Sequence, residues 1–176
     1  MKQRNVLIIG GAGYIGSVLI EQLLNTGYAV RVLDRLMYEN GDSISAYVGR
    51  EGFEFVYGDF GHQETLDKSL EGISDVVLLA AMVGDPICKK YPELTQAVNV
   101  DYPKNLFNTK KGKGISNFVF TSTCSNYGLR KDDSLANESS ELNPQSLYAE
   151  TKIEFEKFIL SEAAHVDFAP TILRIS

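Results

Sequence analysis

The sequence predicts an α/β fold, a doubly wound parallel sheet with helices on both faces, and three observations predict it. Short β-branched runs alternate with stretches of helical periodicity along the chain, and strands alternating with helices form right-handed βαβ crossovers. Glycines stand where the helical stretches should stop, at Gly27, Gly52, Gly72 and Gly112/Gly114, as C-terminal cap glycines do. The first apolar run leads into Gly10-Gly11-Ala12-Gly13-Tyr14-Ile15-Gly16 and then into an amphipathic segment. That strand, glycine loop and helix are what a dinucleotide pyrophosphate needs: glycines let the backbone approach the phosphates, and the helix N-terminus offers unpaired N–H groups.

Taken in order, strands are expected at 6–9, 29–33, 53–57, 75–79, 118–121 and 168–173, and helices at 15–26, 43–50, 63–70, 93–111 and 146–164. The run Val6-Leu7-Ile8-Ile9 is too short for a signal peptide and reads as a buried strand. The second run, Ala29-Val30-Arg31-Val32-Leu33, ends in Asp34. His62 is expected to begin the surface helix that follows the third strand, and His165 to end the last helix, where a cation is favourable. Asn143-Pro144 reads as an N-cap followed by proline at the first helical position. Two stretches, 82–90 and 124–143, receive no element. Both follow strand C-termini, the edge at which such sheets bind ligands, so long loops there are expected to be functional.

With 176 residues, 44% hydrophobic and 23% charged, the chain is expected to form one domain, 1–176, with a real core. A net charge of −6 argues against nucleic acid or an anionic membrane as the main partner, and no run approaches membrane-spanning length. Cys88 and Cys124 show no metal-like spacing and suit a reducing cytoplasm, as small buried or semi-buried residues. Two histidines without clustered ligands exclude a catalytic metal from the expectation.

The glycines fit two spacings, G-x-G-x-x-G from Gly11 and G-x-x-G-x-x-G from Gly10, and Asp34 stands close to the roughly 20-residue offset of a ribose-binding acid. Tyr148 and Lys152 are four residues apart and share a helix face. An ammonium near a phenol lowers the tyrosine pKa from its usual value of about 10, which would make Tyr148 a general acid/base near neutral pH. Upstream, Phe118-Val119-Phe120 runs into Thr121-Ser122-Thr123-Cys124-Ser125-Asn126-Tyr127-Gly128. Hydroxyls at a strand end can hold a substrate oxygen, although serine and threonine also terminate strands as plain polar turns. Nothing in the spacing chooses among Thr121, Ser122 and Thr123.

These residues together resemble the extended short-chain dehydrogenase/reductase family, the NAD-dependent sugar-nucleotide epimerases and dehydratases. The matching motifs are Gly10-x-x-Gly13-x-x-Gly16, Asp34, Gly58-Asp59, Leu79-Ala80-Ala81, Val98-Asn99-Val100, Thr121-Ser122-Thr123 with Tyr127-Gly128, and Tyr148-x-x-x-Lys152, in family order over essentially the whole chain. The resemblance implies a Rossmann-type sheet and NAD as cofactor. It implies Thr123, Tyr148 and Lys152 as the catalytic set, with Tyr148 and Lys152 also at the nicotinamide ribose. Tyr14 and Ile15 would line the pyrophosphate, Asp34 would hold the adenosine ribose, and Asp59 and Phe60 would flank the adenine. Leu79, Ala80, Ala81 and Thr121 would lie beside the cofactor. Asn99 would lie near it, with helix capping or water binding as its other role. Asp34 favours NAD over NADP, because a carboxylate repels a 2′-phosphate; Arg35 argues mildly the other way.

The expected activity is nucleotide-sugar epimerisation or keto-sugar reduction on a UDP-, dTDP- or GDP-linked sugar. The alternatives are a non-catalytic NAD(H)-binding module working through a partner and a hydroxysteroid-type dehydrogenase. Where related dehydratases carry an Asp-Glu pair after the threonine, this chain has Cys124 and Ser125, which counts against dehydration. Leu78 replaces a histidine common in relatives and reads as packing variation. Relatives place a mobile loop over the cofactor at 82–90; Asp85 and Lys89 there read as solvated charges, and the basic run Lys110 to Lys113 as a solvated helix end. The chain ends just after its sixth strand, so the family's substrate-binding C-terminal domain is expected to be absent. A homodimer is expected through the helices at 93–111 and 146–164, with Leu94, Phe107, Phe155 and Ile159 as contacts or core residues.

Overall fold

The computed structural model describes residues 4–110, 114–129 and 135–176. Six strands, β1 (Asn5–Ile9), β2 (Ala29–Asp34), β3 (Phe53–Tyr57), β4 (Asp75–Leu78), β5 (Asn117–Thr123) and β6 (Ala169–Ile175), form one sheet in the order β3-β2-β1-β4-β5-β6. Every pairing is parallel, so this is the doubly wound, Rossmann-type sheet that the sequence predicts. The chain winds outward from β1 in one direction to β3 and then in the other to β6. The C-terminal ends of β1 and β4 therefore border the crevice where the winding reverses.

β1 shows why the apolar run is a buried strand. Side chains alternate along a strand, so Val6 and Ile8 enter a cluster with Ile20 and Ile44, while Leu7 and Ile9 enter the larger cluster on the opposite face. The first cluster lies under α1 (Tyr14–Asn25) and the short α2 (Asp42–Ser45). The second is built from α3 (Gln63–Leu70) and two helices described below, and its centre is aromatic. Phe107 meets Phe118, Phe158 and Phe168 with ring centroids 5.2, 5.6 and 5.0 Å away.

Several boundaries differ from the sequence reading. The helix expected at 43–50 is a single turn, α2. The unassigned stretch 82–90 contains α4 (Asp85–Lys90), started by Pro86 in its first turn and too short to show a period. The helix expected at 93–111 is three pieces: α5 (Pro92–Gln96), a π-helical turn (Ala97–Asp101) and α6 (Tyr102–Lys110). The last helix, α7 (Leu147–Glu162), is capped by Ser146, whose Oγ accepts from the Ala149 N–H at 3.3 Å. Asn143-Pro144 is therefore not the cap. The Asn143 N–H donates instead to the Asn126 carbonyl at 2.9 Å, which holds the chain against the end of β5. Gly112 and most of the basic run 110–113 lie outside the described residues.

Phe107, Phe155 and Ile159, considered as dimer contacts, are buried inside the larger cluster, and Leu94 packs partly against it. On α7 the outward apolar residue is Leu160, 64% exposed. Among the described residues no helix is long and apolar enough to cross a membrane, and no three metal-binding side chains gather. Truncating the aromatic centre should be expensive: Phe107→Ala is expected to cost about 3–5 kcal/mol in urea unfolding, while Leu160→Ala should stay within about 0.5 kcal/mol.

Candidate active site

The site begins at the turn after β1. Gly10 has φ +83°, and a Cβ there would come 2.5 Å from the Ala80 backbone nitrogen. Only glycine lets the turn lie against the segment that leaves β4. Gly16, in the first turn of α1, packs on the backbone of Gly11, where a Cβ would collide with the Gly11 carbonyl. The N-cap of α1 is Gly13, with no side-chain cap and no acid in the first turn. The positive end of the helix therefore remains available to an anion.

Asp34 closes this loop from the end of β2. Its Oδ2 accepts from the Ala12 N–H at 3.0 Å and its Oδ1 from the Leu36 N–H at 2.8 Å. A cleft of about 440 Å³ opens above, lined by Gly10, Gly13, Tyr14, Ile15, Asp34, Arg35, Asp59, Phe60, Leu79, Ala80 and Ala81. All of these were expected there. Gly16 supports the loop from behind. The cleft lies at the switch point and is lined by an uncapped helix end and the Asp34 carboxylate, so its donors and acceptors fit a dinucleotide.

Gly58 and Val98, from the motifs quoted above, and Met82 and Val83, from the stretch expected over the cofactor, also line the cleft, as do Met37, Tyr38 and Asn40, which the sequence reading missed. Asn40 is the most telling. Its Nδ2 donates to the Ala12 carbonyl at 2.6 Å, and its buried Oδ1 has no partner among the described residues. Its only sequence signal was its place in the loop after β2.

Beyond the cleft, β5 and α7 meet. Thr121 donates its hydroxyl to the Leu78 carbonyl at 3.0 Å, and its own carbonyl accepts from Lys152 Nζ at 3.0 Å. The Ser122 hydroxyl is buried against the Asn126 amide. Thr123 Oγ1 accepts from the Ser125 N–H at 3.1 Å, which leaves the hydroxyl proton uncommitted among the described residues. Lys152, 2% exposed, places Nζ 4.7 Å from the Phe120 ring centroid and 5.7 Å from that of Tyr148.

This geometry corrects the expected electrostatics. Burial lowers Lys152 to about 7, against an opposing pull from Glu156. Burial also raises Tyr148, with the Cys88 and Cys124 thiols adding in the same direction. Taking water from a cation and from a phenol favours the neutral form of both, so the lysine does not depress the phenol. Cys124, expected to be buried or semi-buried, is exposed, and Cys88 is buried.

Asn99, on the π-helical turn, is 2% exposed and neither caps a helix nor lines the cleft. Its Oδ1 accepts from the Met82 N–H at 2.8 Å, and its Nδ2 donates to the Met82 carbonyl and to Thr151 Oγ1, both at 3.1 Å. It ties the cleft wall after β4 to α7. A second buried tie was not foreseen: Glu156, one turn beyond Lys152, accepts from Asn126 Nδ2 at 2.8 Å and from Arg174 Nη2 at 2.6 Å. Arg174 also donates to the Tyr127 hydroxyl at 3.0 Å. Its signal in the sequence was a carboxylate on an otherwise apolar helix face.

The lysine sets a pH dependence of stability. Below about pH 7 Lys152 is protonated in both folded and unfolded chains, and folding bears its full desolvation cost. Between about 7 and the usual 10.5 the folded amine is neutral while the unfolded one is charged, so stability rises with pH. Lys152→Met should therefore melt at its highest temperature relative to the parent near pH 6, and that advantage should shrink by pH 10. Parallel melting curves would contradict it.

Known proteins agree with this architecture. The model of the NAD-dependent epimerase/dehydratase family matches residues 6–176. A UDP-glucose 4-epimerase of Corynebacterium glutamicum is 31% identical over 173 residues, covering 96% of this chain and 50% of that protein. A 3-beta-hydroxysteroid dehydrogenase of Mycolicibacterium neoaurum is 29% identical over 165 residues, covering 89% and 43%. The structure of a UDP-glucuronic acid 4-epimerase from Bacillus cereus, in complex with UDP-glucuronic acid and NAD, superposes with a TM-score of 0.88 at 26% identity, covering 97% of this chain and 55% of that one. The chain thus spans about half the length of the relatives it matches. By fold, motif order and sequence, it belongs to the NAD-dependent epimerase/dehydratase family.

Proposed function

We propose that this chain carries the cofactor-binding half of a nucleotide-sugar epimerase or keto-sugar reductase, with Thr123, Tyr148 and Lys152 as its catalytic set. One observation carries the reading. Lys152 reaches from α7 to the Thr121 carbonyl at 3.0 Å, beside the Tyr148 ring, and so joins the tyrosine helix to the hydroxyl-bearing end of β5. Held by the cleft residues, NAD would supply the hydride acceptor and donor that oxidation of a sugar hydroxyl and re-reduction of the keto sugar require.

The chain's own residues manage the proton and the oxygen. Tyr148 takes the hydroxyl proton at its phenol oxygen. Because burial keeps that phenol protonated at rest, its basic form depends on positive charge beside it. Lys152, with a pKa of about 7, is balanced near half charge at neutral pH. Glu156, one turn along α7, favours the charged form. Of the three hydroxyls left open by the sequence, Thr121 gives its proton to the Leu78 carbonyl and Ser122, 2% exposed, is held by the Asn126 amide, whereas Thr123 stands at the end of β5 with its proton uncommitted among the described residues, so it steadies the sugar oxygen. Cys124 and Ser125 offer no carboxylic acid for an elimination step, which favours epimerisation or reduction over dehydration.

Asp34 and the uncapped end of α1 hold the adenosine ribose and the pyrophosphate in this reading. A 3β-hydroxysteroid substrate is the second reading, favoured by the mycobacterial-type relative.

The test is a substrate panel of UDP-, dTDP- and GDP-sugars and 3β-hydroxysteroids, run on the longest form of the protein that expresses. Turnover of a sugar nucleotide is expected, and Tyr148→Phe should lower it by about 10²–10⁴-fold while leaving NAD binding intact. Turnover of the steroid alone would replace the first reading by the second. Full activity of Tyr148→Phe would remove the tyrosine from the mechanism.

A further inference from the structure

We propose that Asp59 makes the cleft selective for NAD over NADP by tethering Arg35, so that the one cation that lines the cleft among the described residues is withheld from a 2′-phosphate. The inference rests on the reading above, in which Asp34 faces the adenosine ribose.

An arginine next to the ribose-binding acid is the residue type that accommodates a 2′-phosphate, because its planar fork pairs with phosphate oxygens. Arg35 follows Asp34 directly and lines the same cleft. By sequence position alone it invites NADP. The structure gives its charge another partner. Arg35 Nη1 donates to Asp59 Oδ2 at 2.8 Å, across the gap between the segments that follow β2 and β3. Asp59 is itself fixed, since its Oδ1 accepts from the Gly61 N–H at 2.9 Å. Its side chain is 19% exposed and that of Arg35 47%. The carboxylate is thus a held anchor, and the arginine is the member free to move if released.

Charge at this end of the cleft points the same way. Asp34, Arg35 and Asp59 sum to one net negative charge. A 2′-phosphate entering here meets that charge and must also break an ion pair before it gains a cation. A 2′-hydroxyl needs neither, because Asp34 accepts from it directly. Two carboxylates therefore act on the same choice, Asp34 by direct contact and repulsion and Asp59 by occupying Arg35.

Calorimetric titration of the chain with NAD and NADP, and with 5′-AMP and 2′,5′-ADP as fragments lacking nicotinamide, tests the proposal. The parent is expected to prefer NAD and 5′-AMP. Asp59→Asn, which keeps an acceptor for Gly61, should raise the affinity for NADP relative to NAD by about tenfold, and likewise for 2′,5′-ADP relative to 5′-AMP. The gain should fade in high salt, as expected for an exposed arginine–phosphate contact. Adding Arg35→Ala to Asp59→Asn should abolish it. If Asp59→Asn melts well below the parent, Asp59→Ser makes the same comparison. An unchanged NADP/NAD ratio, or a gain that survives Arg35→Ala, would overturn the tether while leaving the reading of the cleft intact. A parent that binds none of the four ligands would overturn both.

Discussion

The rest of the site depends on one close backbone approach. Gly10, at the end of β1, lies against Ala80, just beyond the end of β4, at a distance that a side chain would prevent. That contact holds together the exits of two paired parallel strands from which the chain runs on to opposite halves of the sheet. The loop to α1 then turns under Asp34, which holds the Ala12 and Leu36 amides. The uncapped helix end, the Asp34 carboxylate and the wall at 79–81 are thus three consequences of one packing constraint.

The second half of the site depends on burial. α7 carries two ionisable residues, Lys152 and Glu156, one turn apart and almost fully buried. Each faces a different part of the structure. Lys152 reaches the last residues of β5, and Glu156 reaches Asn126 and Arg174 behind them. Buried charges of this kind are costly unless every member is paired. Their partners hold α7 at one register against β5 and β6, and that register sets where Tyr148 stands. The same burial moves the lysine down and the tyrosine up, so each is shifted toward its neutral form.

Irregular segments supply the remaining ties. The π-helical turn places Asn99 inward, where both ends of its amide grip Met82, and its Nδ2 also reaches Thr151. The stretch after β5 turns through Cys124–Tyr127, and Asn126 takes both Ser122 and Glu156 with its amide. Neither segment has a period to read in one dimension, yet both carry the contacts that join the cofactor cleft to α7.

The sequence by itself determined the sheet, its handedness and the location of the cofactor cleft. Those follow from local rules: alternation in β1, glycines that alone permit the turn at Gly10 and the packing at Gly16, and an acid at the end of β2. The four-residue spacing of Tyr148 and Lys152 was equally legible, because helix geometry fixes it. Tertiary structure decided what those residues do. The sign of the Tyr148 shift reversed because burial, invisible in the sequence, raises the phenol and the Cys88 and Cys124 thiols add to it. How each of the three hydroxyls is engaged depended on Leu78, which takes the Thr121 proton, and on Asn126 and Ser125, which donate to Ser122 and Thr123; Leu78 stands on another strand. The partner of Arg35 lies 24 residues away. Local sequence sets backbone geometry, whereas charge state and hydrogen-bond commitment depend on solvent exclusion and distant partners, which exist only once the chain has folded.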